Sequence, residues 1–263
     1  MNHHPSQSLL TAEEPPPVRL INPAGASPFL LLGDHAGNAI PAALGSLGLG
    51  RDDLERHIAW DIGVGGLGTV LAEALDAVFI RQHYSRLVVD CNRDPDAPDA
   101  MPEISDFTAI PGNAAMTPAA RAARLAAIHQ PYQAAIAAEI ERRHAAGMAT
   151  VLVSLHSFTP SMNGRDRPWQ IGVLYGEGDT GFALALLDLL QRRGAWTVGD
   201  NEPYAMDGID HTIPRHAYPD RLPYAELEIR QDLLSTPEQQ AGWAALLAEI
   251  LPTTDRHRLT GRS

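Results

Sequence analysis

Short apolar runs alternate along the chain with segments whose apolar residues recur every three or four positions. The first pattern is typical of buried β-strands and the second of amphipathic helices. The apolar runs predict strands over residues 29–32, 78–80, 87–89, 150–155, 171–175, 195–198 and 224–229. The helical patterns cover residues 52–60, 69–77, 118–146, 181–193 and 237–251. We expect Pro131 to kink or divide the third helix.

This alternation predicts an α/β fold: a mixed, mostly parallel central sheet with helices on both faces. Residues 26–252 form a single domain in this interpretation. Residues 1–25 are polar and rich in proline, so we expect a flexible tail, and residues 253–263 are expected to form a polar C-terminal tail. Ligands of such folds bind beyond the carboxyl ends of the strands, so residues at those ends are the candidates for chemistry.

The composition narrows the possible function classes. Hydrophobic residues make up 44% of the 263 residues, enough for a sizeable core. The formal net charge of −12 and the pI of about 5.3 argue against nucleic acid or an anionic membrane as a partner. All 20 residues of the Lys and Arg class are arginines. This excludes a Schiff-base lysine, a Walker A lysine and a Ser–Lys dyad.

Cysteine content and hydropathy indicate the compartment. Cys91 is the only cysteine, which excludes an internal disulfide and a zinc site built from several cysteines. No apolar run approaches the roughly 20 residues of a membrane helix, and the N-terminus lacks an apolar signal-peptide core. We therefore expect a cytoplasmic protein. The pattern does not specify an oligomeric state, because apolar helix faces for a core and for a partner look alike.

Four segments place polar residues at or just past predicted strand ends. They contain Asp34-His35, His156-Ser157, the pair Glu226 and Glu228, and Asn92-Arg93. Two imidazoles and an oxygen ligand around an open position are the donor set of a catalytic zinc ion, and a further carboxylate can serve as general base. An arginine beside an amide suits capture of a substrate carboxylate. Together these segments favour a metal-assisted active site.

The chain also resembles a known family in six ordered segments. These are residues 33–41, 57–63, 84–93, 154–158, 201–204 and 228–232, with the sequences GDHAGNAIP, HIAWDIG, YSRLVVDCNR, SLHSF, NEPY and EIRQD. They are similar to N-formylglutamate amidohydrolases, over nearly all of residues 28–250. The resemblance implies a phosphorylase/hydrolase-like fold akin to the zinc carboxypeptidases, and hydrolysis of the N-acyl bond of an amino acid.

The same resemblance implies roles for individual residues. His35 and His156 correspond to the two zinc histidines of the carboxypeptidases. Glu228 corresponds to their catalytic glutamate. Asn92 and Arg93 correspond to the pair that binds the terminal carboxylate of the substrate.

The third metal ligand departs from the carboxypeptidase motif, because Asn38 stands where those enzymes have glutamate. A neutral amide is a poorer zinc ligand than a carboxylate. Either Asn38 binds the metal through its carbonyl, or Asp34 or Asp61 supplies the anionic ligand. The sequence leaves these alternatives open, together with the choice between zinc and another divalent metal ion.

The implied reaction is metal-dependent hydrolysis of a small-molecule N-acyl amino acid, such as N-formyl-L-glutamate in histidine catabolism, to the amino acid and formate. The metal polarises the scissile carbonyl and acidifies a water, whose proton Glu228 accepts and passes to the leaving amine. Arg86 helps to stabilise the oxyanion. A dicarboxylate substrate needs a second cation, for which Arg86, Arg165 and Arg167 are candidates.

A non-catalytic function is the main alternative. With Asn38 in place of the motif's glutamate, the scaffold could serve as a carboxylate-binding or interaction protein without metal. The presence of His35, His156 and Glu228 together argues against this, because a protein that has lost catalysis does not need all three.

Other patterns carry weaker hypotheses. The glycines of residues 63–68 match G-x-G-x-x-G, but a helix is predicted before them and Arg81, not an acid, follows the next strand. We therefore expect them to allow close helix packing rather than to bind a dinucleotide. Cys91 and Ser157 are weak candidates for a nucleophile, since neither lies in a nucleophile motif. Three histidines could line the pocket, although structural roles are favoured for them: His57, His211 and His216.

Overall fold

The computed structural model of the chain describes residues 8–162 and 164–260. Its strands are β1 (Val18–Ile21), β2 (Phe29–Gly33), β3 (Val78–Gln82), β4 (Ile104–Ser105), β5 (Thr108–Ala109), β6 (Val151–Phe158), β7 (Ser161–Met162), β8 (Arg165–Asp166), β9 (Ile171–Leu174), β10 (Val198–Asp200) and β11 (Tyr224–Arg230). Its α-helices are α1 (Arg51–Leu54), α2 (Val64–Leu75), α3 (Pro118–Arg124), α4 (Gln130–Ala145), α5 (Gly181–Arg193), α6 (Thr212–Ala217) and α7 (Pro237–Thr260).

Seven strands form the central sheet, in the order β1-β3-β2-β6-β11-β9-β10. The four strands β3, β2, β6 and β11 are parallel to one another, as are β9 and β10. Two contacts are antiparallel, β1 with β3 and β9 with β11. The prediction of a mixed, mostly parallel sheet is confirmed.

Alternate side chains of the central strands pack into two separate cores. In β2, Phe29 and Leu31 belong to one core, and Leu30 and Leu32 to the other. Helices α2, α5 and α7 cover the first face, while α4 and α6 cover the second. Because both faces are covered, the central strands are buried along almost their whole length, and their apolar runs can be recognised in the sequence. The polar residues of β6 and β11, among them His156, Glu226 and Glu228, are the exceptions.

The predicted strand at residues 87–89 is wrong. This segment is a turn, with the Val88 N–H donating to the Ser85 carbonyl at 3.0 Å, and its three apolar side chains are buried in the second core. The apolar run therefore indicated burial, which an irregular backbone also provides. The helix predicted over residues 52–60 is likewise shortened to α1, followed by turns.

Ordered elements extend beyond the expected domain limits at both ends. β1 lies within the expected N-terminal tail and pairs with β3, whose edge it covers, and the Tyr84 hydroxyl donates to the Pro15 carbonyl at 2.8 Å. At the other end, α7 continues through Pro252 to Thr260, well into the expected C-terminal tail. Residues 1–7 and 261–263 of the two expected tails lie outside the described part of the chain.

The long helix predicted over residues 118–146 is divided, as expected, next to Pro131. A π-helical turn, Leu125–His129, joins α3 to α4 directly before this proline. Proline has no N–H to donate into the helical hydrogen-bond pattern, so a change of pattern at this point is physically reasonable. Among the helices of the described chain, none has the length and hydropathy that crossing a membrane requires.

The glycines of residues 63–68 begin α2 and follow turns rather than a strand. Gly63 has a φ of +84°, a conformation that glycine adopts easily. A Cβ on Gly68 would lie 2.4 Å from the Phe79 ring, so this glycine lets α2 lie directly against β3. The interpretation of close helix packing is confirmed.

We expect Gly68→Ala to destabilise the fold by about 1–3 kcal/mol, because the new methyl group overlaps the Phe79 ring. The matched control is Gly242→Ala in α7, where a Cβ would meet no atom within 4 Å. That change is expected to stabilise the protein by about 0.5–1 kcal/mol, the usual gain of alanine over glycine in a helix. Thermal unfolding of both variants measures the difference, and a Gly68→Ala protein as stable as the parent would contradict the packing interpretation.

Candidate metal centre and active site

Strands β2, β6 and β11 are adjacent and parallel, so their carboxyl ends meet at one edge of the sheet. A cavity of about 380 Å³ opens there. His35 lies just after β2, His156 lies near the end of β6, and Glu228 lies opposite His156 in β11. All three line the cavity. The structure therefore brings these three predicted residues together.

A carboxylate lies between the two imidazoles. Asp61 Oδ2 is 3.0 Å from His156 Nδ1 and 3.5 Å from His35 Nδ1. One ligand atom from each residue lies within 4.8 Å of the others, and all three side chains are buried. The Asp61 N–H donates to the His35 carbonyl at 2.9 Å, which positions the loop before α2 against the end of β2. This cluster could hold a metal ion.

The outer nitrogen of each imidazole contacts a further carboxylate. Asp90 Oδ1 lies 2.6 Å from His35 Nε2, and Asp34 Oδ2 lies 3.3 Å from His156 Nε2. Ser154 Oγ also lies 2.9 Å from His156 Nε2. Such outer contacts orient metal-binding histidines and increase their basicity. His35 Nδ1 is buried without a hydrogen-bond partner in the described structure, which leaves its lone pair free to bind a metal ion.

The imidazoles lie in an excess of negative charge. Burial alone would lower the pKa of His156. Three carboxylates oppose this and raise its pKa well above the usual range, those of Glu226, Asp34 and Asp61. Burial acts in the same direction on His35, whose pKa is nevertheless raised by neighbouring carboxylates. A divalent cation would balance this negative charge and bind the deprotonated imidazoles instead of protons.

Among the three alternatives for the anionic ligand, the geometry favours Asp61. Its carboxylate faces the inner Nδ1 atoms of both histidines, whereas Asp34 contacts the outer nitrogen of His156. Asn38 is not among the residues that line the cavity, and its Oδ1 is buried without a partner in the described structure. The cavity lining therefore gives no support to Asn38, the ligand that the motif suggested.

Two glutamates of β11 line the cavity from the same face of the strand, Glu226 and Glu228. Both are buried, and the Oε2 atom of each has no hydrogen-bond partner within the described residues. Burial, with the Asp61 charge, raises the pKa of Glu228 to about 7. Burial likewise raises the pKa of Glu226 well above its usual range. A carboxylate with a pKa near neutrality can both accept and return a proton.

Arg86 bridges the two halves of the cluster. Its Nε and Nη2 donate to Asp90 Oδ2 at 3.1 and 2.6 Å, and its Nη1 lies 3.4 Å from Asp61 Oδ1. It thereby orients the carboxylate that contacts His35 as well as the one between the histidines. The side chain is 26% exposed and lines the cavity. A guanidinium has five N–H donors, so some remain for a ligand.

Asn92 and Arg93 line the cavity wall, but most of their polar atoms are engaged. Asn92 Nδ2 donates to Asp210 Oδ1 at 3.2 Å. Arg93 Nε donates to Asp99 at 3.1 Å, and its Nη1 lies 3.7 Å from Asp210 Oδ1. The predicted carboxylate-binding pair thus already holds a carboxylate of its own chain.

Arg167 contacts residues that line the cavity and makes no ion pair within the described residues. Its Nη1 donates to the Tyr204 hydroxyl at 2.8 Å, and its Nη2 lies 2.9 Å from Met162 Sδ. Its guanidinium stacks 4.7 Å above the Tyr204 ring and lies 5.9 Å from the Phe158 ring. These three neighbours line the cavity. Arg165, the other candidate, is exposed in β8.

The weaker candidates differ in burial and in their position relative to the cavity. Cys91 is buried, and burial raises the pKa of its thiol well above the usual range, which disfavours a thiolate nucleophile. The Ser157 hydroxyl donates to the Ile62 carbonyl at 2.9 Å. Of the three remaining histidines, His57 lines the cavity, whereas His211 and His216 are not among its lining residues.

Three residues at the cavity received no role in the sequence analysis: Asp90, Tyr204 and Asp210. Asp90 carried a readable signal, because it lies four residues after Arg86 and directly after an apolar run. Tyr204 lies within the family-like segment 201–204, but no role was assigned to it. Asp210 lies in a loop without any pattern, and its contact with Asn92 is created only by the fold.

The chain is similar to known proteins in sequence and in fold. No curated protein matches the chain significantly. A crystallised gene product of Agrobacterium tumefaciens is 40% identical, with a TM-score of 0.89 over 94% of this chain and 97% of its own. N-formylglutamate amidohydrolase from Ralstonia eutropha JMP134 shares the fold at 22% identity, with a TM-score of 0.67 over 93% of this chain and 99% of its own. Because the N-formylglutamate amidohydrolase family model matches residues 27–235, the chain belongs to that family.

Proposed function

We propose that the protein is a metal-dependent hydrolase that cleaves the N-formyl or another N-acyl amide bond of a small amino acid derivative. The observation that carries this proposal is the buried cluster of His35, Asp61 and His156 beside the carboxylate of Glu228, whose Oε2 has no hydrogen-bond partner within the described residues. Membership of an amidohydrolase family supports the reaction class. The donor set of two imidazoles and one carboxylate suits zinc, or another divalent ion, with an open position for substrate.

His35, Asp61 and His156 would hold the ion. When bound, it would act as a Lewis acid toward the scissile carbonyl and acidify the attacking water. Asp90 and Asp34 hold the outer nitrogens of the imidazoles and so keep the inner Nδ1 atoms available as ligands.

Glu228 is the proposed general base. As a carboxylate it accepts the proton of the attacking water, and as the acid that results it returns this proton to the leaving amine. Water thereby adds to the acyl carbon, the C–N bond breaks, and the products are a small carboxylic acid, such as formate, and the free amino acid. Arg86 directs its remaining N–H groups toward the oxygen on which negative charge develops.

Arg167 is the proposed partner for a substrate carboxylate. Its charge is not offset by an acid within the described residues, whereas Arg86 faces Asp61 and Asp90. The stacking of its guanidinium on Tyr204, which lines the cavity, holds Arg167 beside that wall in a defined orientation. A substrate carboxylate bound to Arg167 would anchor the substrate with its scissile amide bond toward Glu228.

Elemental analysis combined with a formate-release assay tests this function. We expect about one zinc or other divalent ion per chain, and turnover of N-formyl amino acids that stops on chelation and returns when the metal is restored. The assay is run on N-formyl-L-glutamate and on N-formyl-L-glutamine, which differ by one carboxylate. Absence of metal after reconstitution, with no turnover, would instead favour a carboxylate-binding protein on the same scaffold.

A further inference from the structure

Two hydroxyl groups hold the Asp34 carboxylate beside the outer nitrogen of His156. Ser154 Oγ lies 3.2 Å from Asp34 Oδ2 and 2.9 Å from His156 Nε2. Thr212 Oγ1 lies 2.8 Å from Asp34 Oδ1. Carboxylate oxygens only accept hydrogen bonds, so both hydroxyl groups donate to Asp34. Because Asp34, Ser154 and Thr212 are at most 1% exposed, these two contacts set the orientation of the carboxylate.

The Thr212 hydroxyl has a single proton, and its neighbours direct this proton to Asp34. Gln133 Nε2 donates to the Cys91 carbonyl at 2.8 Å and to Thr212 Oγ1 at 3.2 Å. Reversal of the Gln133 amide would place its oxygen against the Cys91 carbonyl oxygen, where neither atom can donate. Thr212 Oγ1 therefore accepts from Gln133 and donates to Asp34, which is charged and nearer than the Cys91 carbonyl at 3.3 Å.

His216 fixes the other end of this chain of hydrogen bonds. Its Nε2 lies 2.7 Å from Gln133 Oε1, an atom that can only accept, so Nε2 carries the proton. The hydrogen bonds then run in one direction, from His216 through Gln133 and Thr212 to Asp34. Every member is buried, so the chain forms a defined polar path through the second core.

This direction determines which nitrogen of His156 is left for a metal ion. The Ser154 proton goes to Asp34, so Ser154 Oγ is an acceptor for the N–H of His156 Nε2. With the proton on Nε2, the lone pair of Nδ1 is the one available to a metal ion, on the side of Asp61.

The fold holds Thr212 in place through the cavity wall. Thr212 is the first residue of α6, and Asn92 Oδ1 accepts from the N–H groups of His211 and Thr212 at 3.0 and 2.9 Å. Asn92 lines the cavity, whereas Thr212 does not. The backbone of Thr212 is thereby fixed with its hydroxyl against Asp34, 178 positions away in the sequence.

We propose that Thr212 is a positioning residue of the metal centre. Its hydroxyl orients the Asp34 carboxylate, and Asp34 in turn fixes the His156 ring with Nδ1 directed to the metal ion. This inference rests on the proposed function, in which His156 is a metal ligand, and it adds a residue of α6 that touches neither metal nor substrate.

Replacement of Thr212 by valine tests this role, because valine keeps the branched shape of threonine and removes the hydroxyl. We expect Thr212→Val to lower zinc affinity by about tenfold, the lower end of the range for lost outer contacts of metal-binding histidines. Thr212→Ser keeps the hydroxyl and should restore most of the affinity. Competition with a chromophoric chelator measures zinc binding by each purified protein, and thermal unfolding verifies that each one folds.

Thr254→Val in α7 is the matched control. Thr254 is 1% exposed, and its hydroxyl donates to the Ile250 carbonyl at 3.0 Å within the helix. This variant also loses a buried hydroxyl group, but at a place without contact to the metal centre. We therefore expect its zinc affinity to equal that of the parent.

Zinc affinity of Thr212→Val equal to the parent's, or lowered to the same extent in Thr254→Val, would overturn the role of Thr212. The same conclusion would follow if Thr212→Ser bound zinc as weakly as Thr212→Val. A parent that binds zinc without hydrolysing N-formyl amino acids would count against the proposed reaction alone, since the affinities are compared without turnover. A parent that binds no zinc would overturn both proposals.

Discussion

Replacement of Glu228 by glutamine is expected to lower kcat by about 10²–10⁴-fold while the metal content stays the same. The amide has the size of the carboxylate but cannot accept the proton of the attacking water. Glu228 is not part of the cluster of His35, Asp61 and His156, so the ligands remain intact. Single-turnover formate release measures the rate, and elemental analysis of the same sample measures the metal.

The comparison variant is Glu226→Gln, on the same face of β11 and equally buried. We expect it to retain far more activity than Glu228→Gln. The parent should also lose kcat/KM at acidic pH as Glu228 becomes protonated, and this acid limb should be absent from the residual activity of Glu228→Gln. If Glu226→Gln lost turnover and Glu228→Gln kept it, the roles of the two glutamates would be reversed.

Replacement of Asp61 by asparagine is expected to weaken metal binding by more than about 100-fold, and turnover should fall with it. Loss of an outer contact typically costs 10–100-fold in metal affinity, so loss of a charged ligand should exceed this range. Asp61 also holds a charge between two buried histidines and Arg86. Circular dichroism verifies that the variant folds, and competition with a chromophoric chelator measures its zinc affinity.

Asn38→Ala is the matched control for Asp61, because Asn38 was the ligand that the sequence motif suggested. The cavity is not lined by Asn38, so this variant should bind metal as the parent does. Loss of zinc from Asn38→Ala together with retention by Asp61→Asn would contradict the ligand set proposed above. The zinc affinity of Asp34→Asn should fall between those of Asn38→Ala and Asp61→Asn, because Asp34 contacts the outer nitrogen of His156.

The central strands could be predicted because burial on both faces makes them short apolar runs without alternation. The same signal failed at residues 87–89, since a buried turn produces the same run of apolar residues. Hydrophobicity reports exclusion from water, whereas a strand also needs a neighbouring edge with unpaired backbone groups. β1 shows the converse. Two of its four residues are exposed and two are half-buried, and it is a strand because its backbone pairs with the edge of β3.

By itself, the sequence determined the α/β architecture, the convergence of His35, His156 and Glu228 and, through six ordered segments, the family. The architecture and the convergence follow from local burial and from the rule that parallel strands bring their carboxyl ends together, whereas the family follows from the similarity of the six segments. Only the tertiary structure decided that Asp61 lies between the histidines and that Asp210 lies against Asn92. Both contacts join loops that are distant in sequence, and no local pattern of polarity or spacing encodes where such loops meet.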